Sequence, residues 1–149
     1  MDDATTFPIL SKGVLNTNAE YYLTTLSDDK LYFFLLDESG NWTREYIHTS
    51  STLTTYEDQW VHITATYDGR GGTEANAGQK IYINASVAST GVGSGGSYVA
   101  MENLTSDIYV GRYDSTYAKG LIDEVRIYSK ELSADEVSKN YTNGLGKHS

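Results

Sequence analysis

Ile108-Tyr109-Val110-Gly111-Arg112-Tyr113, Lys119-Gly120-Leu121-Ile122-Asp123-Glu124-Val125-Arg126-Ile127-Tyr128 and Leu132-Ser133-Ala134-Asp135-Glu136-Val137 follow one another in the last third of the chain. The first two runs alternate apolar and polar residues with the period of a strand, and the tyrosine-rich stretch between them has the character of a loop. In the third, Ser133 with Glu136 three positions on forms a capping box, which satisfies free amide donors at a helix start. The predicted ending is strand, loop, strand and short helix. The second strand places Val125 and Ile127 in the core, and the helix covers Ala134 to Asn140, with Val137 and Tyr141 four apart as its apolar stripe.

Upstream, strand-like runs recur at short intervals: Phe7 to Lys12, Glu20 to Leu26, Lys30 to Leu36, Thr43 to Thr49, Trp60 to Tyr67 and Lys80 to Ala85. Ser27-Asp28-Asp29 and Glu38-Ser39-Gly40-Asn41 between them carry the short polar side chains and glycine of tight hairpins. Such spacing predicts an all-β sandwich rather than alternating strands and helices. In Trp60 to Tyr67, Val61, Ile63 and Ala65 share one face while His62, Thr64 and Thr66 share the other, so one face is core and the other wet or ligand-facing. Two glycine-rich stretches, Asp68 to Gln79 and Thr90 to Tyr98, lack this period and are expected as mobile loops.

Thirteen tyrosines against three phenylalanines suit pleated, half-exposed surfaces, and 149 residues suffice for one domain with a sizeable core. A formal net charge of -9 argues against nucleic acid and anionic membrane surfaces, because acidic surfaces repel phosphate. No apolar stretch approaches the length of a membrane span, and Met1-Asp2-Asp3-Ala4 lacks the basic and apolar regions of a signal peptide. Without cysteine the fold relies on its core and the redox compartment cannot be inferred. Sequons at Asn41, Asn84, Asn103 and Asn140 permit glycosylation in a eukaryotic secretory pathway, and also arise by chance in a Ser/Thr-rich chain.

Ile9-Leu10-Ser11-Lys12, Tyr22-Leu23, Trp60 through Gly69, Ile81-Tyr82-Ile83-Asn84, Ile108 through Arg112 and Gly120 through Tyr128 together resemble the ordered landmarks of laminin-G-like, concanavalin A-like jelly roll domains. The resemblance implies an antiparallel two-sheet jelly roll sandwich with one short C-terminal helix, a single domain over residues 1–149. Similar domains begin well before the Ile-Leu-Ser-Lys strand, so this one is expected to be abbreviated at its N-terminal side. Either it is a fragment of a larger protein, or a sheet lacks a strand and exposes unpaired backbone groups. Those groups predict a homodimer through sheet edges or exposed apolar faces. Asn84-Ala85 stands where such domains commonly place Asp-Gly, which predicts a looser turn.

The resemblance further implies a non-catalytic, extracellular or cell-surface module that binds carbohydrate, without inserting into membranes. Glycoside hydrolysis needs two carboxylates across the scissile bond, and no alternating Glu/Asp run supplies them; Asp123 and Glu124 are adjacent and point to opposite faces. The dispersed His48, His62 and His148 form no zinc spacing. Calcium is the cofactor the resemblance suggests, with Asp123 as the candidate ligand, although the residue is read first as a partner for backbone amides. Sugar recognition asks for aromatic rings beside amides, carboxylates and guanidinium groups. The candidates are Tyr109, Arg112, Tyr113, Asp114 and Tyr117, with Tyr82, His62 and Trp42; the tyrosines also serve simply as cover for a β surface. Glu124 and Arg126 share a face and are expected to pair. The competing class is a protein–protein adhesion or structural module, marked by a contiguous exposed apolar patch.

Overall fold

The computed structural model describes residues 1–39 and 41–145. The strands are β1 (Pro8–Lys12), β2 (Tyr21–Thr25), β3 (Leu31–Asp37), β4 (Thr43–Thr49), β5 (Ile63–Tyr67), β6 (Gln79–Ile83), β7 (Ser86–Val87), β8 (Thr90–Gly95), β9 (Ile108–Val110), β10 (Arg112–Tyr113) and β11 (Thr116–Tyr117), and the helix is α1 (Ala134–Leu145). All pairings are antiparallel. They build a six-stranded sheet in the order β8-β4-β3-β2-β1-β9, a three-stranded sheet β5-β6-β7, and the separate hairpin β10-β11. This is the expected all-β, two-sheet sandwich with one C-terminal helix.

Leu23, Phe33, Leu35 and Ile47 of the large sheet pack in one core with Ile81 of the small sheet, closed by Leu53, Ala75 and Tyr98. Strand alternation selects the members: Ile63, Ala65 and Tyr67 of β5 turn to this core. Polar ties also reach across the sandwich. The Gln79 Nε2 donates to the Phe33 carbonyl at 2.9 Å. Asn76 donates to the buried Glu45 carboxylate at 2.5 Å, and burial raises that carboxyl above its ordinary pKa.

Three expectations change. Thr90 to Gly95 is a strand, β8, rather than a loop, paired with β4 through Tyr46↔Gly93 and His48↔Gly91. Its glycines show no hydrophobic alternation because they have no side chains, yet they leave the space that β4 fills. In the other glycine-rich stretch Gly72–Gly78 is a 3₁₀ helix, with Ala75 in the core. The turn at Asn84-Ala85 is tight: Ile83 pairs with Ser86, and both turn residues are left-handed, at φ 48° and 65°. The pairing register of β6 and β7 enforces a two-residue hairpin, which Asn tolerates and Ala does not favour. The turn spanning Glu38 to Asn41 includes Gly40, which lies outside the described residues.

Candidate functional site

Hairpin β10-β11 lies against β1 and gathers five of the sequence-derived candidates. Its entry is tied to β1 by Gly111 N–H donating to the Ile9 carbonyl, and Ser11 Oγ donates to the Arg112 carbonyl at 2.9 Å. At its turn, Asp114 is left-handed (φ 49°) and accepts the Leu15 N–H at 2.8 Å through Oδ1. Arg112 Nε donates to the Asp114 carbonyl at 2.7 Å, which stiffens the guanidinium. That guanidinium sits 4.5 Å from the Tyr109 ring centre and 5.9 Å from that of Tyr117, within cation–π range. Tyr113 stacks on Tyr22 with centroids 4.4 Å apart. Tyr117 is left 63% exposed beside the cation.

The stack continues across the outer face of the large sheet. Register places Gly93, Tyr46, Phe34, Tyr22, Ser11 and Tyr109 side by side on successive strands. Ring centroids run 4.4 Å from Tyr22 to Phe34 and 4.7 Å from Phe34 to Tyr46, while Tyr32 stacks on Phe34 and lies 5.0 Å from His48. A Cβ at Gly93 would fall 2.2 Å from Tyr46 Cζ, and one at Gly91 2.7 Å from the His48 imidazole. The β8 glycines therefore let these rings lean over the sheet edge. The alternation of Tyr32 with Phe34 in β3 and of Tyr46 with His48 in β4 lies in the sequence, but their partnership with the alternating glycines of β8 carries no local mark.

Burial raises the hydroxyl pKa values of Tyr22 and Tyr113; Tyr113 adds to the rise at Tyr22, whereas the hydrogen bond with Tyr22 opposes it at Tyr113. Tyr32 is pushed up to about 12 by burial and by its hydrogen bond to Asp28. These hydroxyls stay neutral at ordinary pH, suited to hydrogen bonding rather than acid–base work.

A family model described as the concanavalin A-like lectin/glucanases superfamily matches residues 2–138. The chain belongs to that superfamily. No curated protein matches it.

Within this concanavalin A-like sandwich the remaining candidates are not part of the hairpin cluster. Tyr82, a candidate for sugar contact, is buried beneath Leu132 and Val137 of the C-terminal segment. His62 lies with its ring 5.6 Å from Tyr141 of α1, and its pKa is lowered by burial first and by Arg126 second. The helix thus covers the small sheet's outer face, a tertiary placement that strand alternation alone does not reveal. Trp42 sits half-buried at the β3–β4 turn with φ 67°. His148 lies outside the described residues. The capping box forms as expected, Ser133 N–H donating to Glu136 and Glu136 N–H to Ser133 Oγ, and α1 continues to Leu145.

Among the described residues Asp123 belongs to no group of three or more His, Cys, Asp and Glu side chains that could hold a metal ion. Its Oδ1 accepts the neighbouring Glu124 N–H at 2.7 Å, the backbone role that the sequence also allowed. Glu124 and Arg126 form an ion pair at 2.5 Å.

The largest correction concerns residues 121–128. Among the described residues this stretch joins no sheet, and Val125 and Ile127, expected in the core, are exposed. It flanks a cleft of about 780 Å³ whose other walls are β5 and the inner residues Leu23, Phe33 and Leu35. Apolar alternation makes a strand only where a neighbouring edge supplies hydrogen bonds, and here Glu124 departs from extended backbone at φ 54°.

Proposed function

We propose that the chain is a non-catalytic carbohydrate-binding module of an extracellular or cell-surface protein. One observation carries this reading: Tyr117 stands largely exposed beside the Arg112 guanidinium on a hairpin held to the large sheet by side-chain bonds and a ring stack. An exposed ring stacks on sugar C–H faces, and Arg112, with the carboxylate of Asp114, offers hydroxyl partners. Tyr109 supports the cation from below, while Tyr113 is chiefly an anchor. The superfamily match, with lectins in its description, agrees with this class of ligand.

A glycan array with and without calcium tests the proposal. Binding independent of calcium and reduced about tenfold in Tyr117→Ala is the expected result, a stacking loss of roughly 1.4 kcal/mol. No glycan signal overturns the lectin-like reading, and an unchanged signal in Tyr117→Ala overturns only the site. A single shallow contact of this kind gains strength from repetition, which a homodimer through sheet edges would supply. The second reading, a protein–protein adhesion module, is favoured by the exposed apolar strip Leu121, Val125, Ile127 and Tyr128.

A further inference from the structure

The chain's four arginines divide into two kinds. Arg70 pairs with Asp68 at 2.6 Å and Arg126 with Glu124 at 2.5 Å, whereas Arg44 and Arg112 make no ion pair among the described residues. Both of the latter belong to the tyrosine-rich outer face of the large sheet. Arg112 is held over the Tyr109 ring on β9, and Arg44 shares a side of β4 with Tyr46 and His48. The charge of Arg44 acts on the hydroxyls of both Tyr22 and Tyr113 and opposes the rise that burial gives them. Asp114, the carboxylate that acts on the same two hydroxyls, gives its Oδ1 to the Leu15 N–H and pairs with neither arginine.

Each of these guanidinium groups is seated by the fold. Arg112 spends its Nε on the Asp114 carbonyl and lies against the Tyr109 and Tyr117 rings, which leaves its two terminal nitrogens without a hydrogen-bond partner among the described residues. Arg44 faces Gly95 of β8, where a Cβ would fall 3.1 Å from its Cζ, so the guanidinium rests on bare backbone as the Tyr46 ring does on Gly93. Seating of this kind lowers the ordering cost of binding. Between the two cations, half-buried Tyr113 and Tyr46 offer ring edges and hydroxyls. β9 and β4 are four strand spacings apart in the sheet, about 19 Å at about 4.8 Å each, a span for several sugar rings rather than one.

We infer that the ligand is an acidic polysaccharide, whose sugar carboxylates are held by Arg112 and Arg44 as the polymer crosses the outer face of the large sheet. A carboxylate fits because the guanidinium is planar and its N–H donors match two oxygens at once. It also supplies the counter-charge that the protein provides at Arg70 and Arg126 and omits at Arg44 and Arg112. A polymer fits because the two cations stand at separate places along one face. The net charge of -9 repels polyanions from the surface at large, which confines the polymer to this strip and makes its attachment sensitive to salt. This rests on the carbohydrate-binding reading above and names the class of sugar.

The intact chain is tested on an array of neutral and uronate-containing polysaccharides, with each uronate polymer printed beside its methyl ester, and against polyglutamate. Expected is binding to uronate polymers that falls at least about tenfold on the methyl esters and declines with added salt. Arg44→Gln and Arg112→Gln should each weaken it about tenfold, through loss of a charge-assisted contact. Arg44 is exposed, so its variant keeps the fold, which circular dichroism verifies; should Arg112→Gln not fold, Arg112→Lys replaces it and is expected to weaken binding by losing the planar fork. Binding to neutral polymers alone, equal binding to uronates and their esters, or binding unchanged in both arginine variants overturns the acidic ligand and leaves the carbohydrate reading standing. Polyglutamate bound as tightly as the uronates also overturns it, in favour of an acidic protein partner. No binding to any polysaccharide overturns both.

Discussion

The large sheet covers both of its faces with its own residues: Leu23, Phe33 and Leu35 fill the inner side, and Tyr22, Phe34 and Tyr46 stack over the outer. The small sheet, by contrast, has a helix on its outer face, a partly open cleft within, and an edge at β5 that no strand occupies among the described residues. Both contain the same alternation of apolar and polar residues. What separates them is the supply of neighbours. In the large sheet β2, β3, β4 and β1 are each flanked on both sides, so alternation becomes burial; at β5 and 121–128 it stops at exposure.

Core truncation should expose this contrast most strongly. Leu35→Ala removes a fully buried side chain and is expected to cost about 2–5 kcal/mol in denaturant unfolding, while Ile127→Ala should stay within about 0.5 kcal/mol at concentrations where the chain is monomeric. Equal losses would erase the distinction between the regions. Next in size is Gly93→Ala, whose Cβ would meet the Tyr46 ring, with an expected cost of about 1–3 kcal/mol. Much of that loss should be recovered in the double variant with Tyr46→Ala, and a double-mutant cycle without coupling would show that the rings do not need the glycine shelf.

On the small-sheet side, Ala85→Gly should stabilise the chain by about 0.5–1 kcal/mol, because glycine adopts the left-handed turn position without a Cβ clash. Unchanged or lower stability would place the strain elsewhere. The smallest effect is at the helix start. Glu136 is lowered to about 2, first by the hydrogen bond from Lys130 and then by the Ser133 N–H. Since its folded pKa lies below the ordinary 4.5, its contribution is present above that value and is lost as pH falls toward about 2. Helical circular dichroism should therefore decline in this window, and Glu136→Gln should flatten that decline.

Most of the large sheet could be read directly from residue pattern. Thr43 to Thr49 came out with its observed limits, since turn residues bound the run. The hairpin candidates were equally accessible, because Tyr109, Arg112, Tyr113, Asp114 and Tyr117 are close along the chain; their supports Ser11, Leu15 and Tyr22 come from about a hundred residues away and carry no local mark. β8 escaped notice because a glycine strand has meaning only under the rings of another strand. Tyr82 and residues 121–128 failed for a shared reason: what covers one and what fails to pair with the other are decided by packing between distant segments.

The pinning of hairpin β10-β11 has a consequence for where such a module can work. Its anchors are a stacked ring pair and hydrogen bonds from Ser11 and Leu15, and the chain contains no cysteine. Thiol–disulfide exchange therefore cannot loosen it, and its shape is indifferent to whether the surroundings are oxidising or reducing.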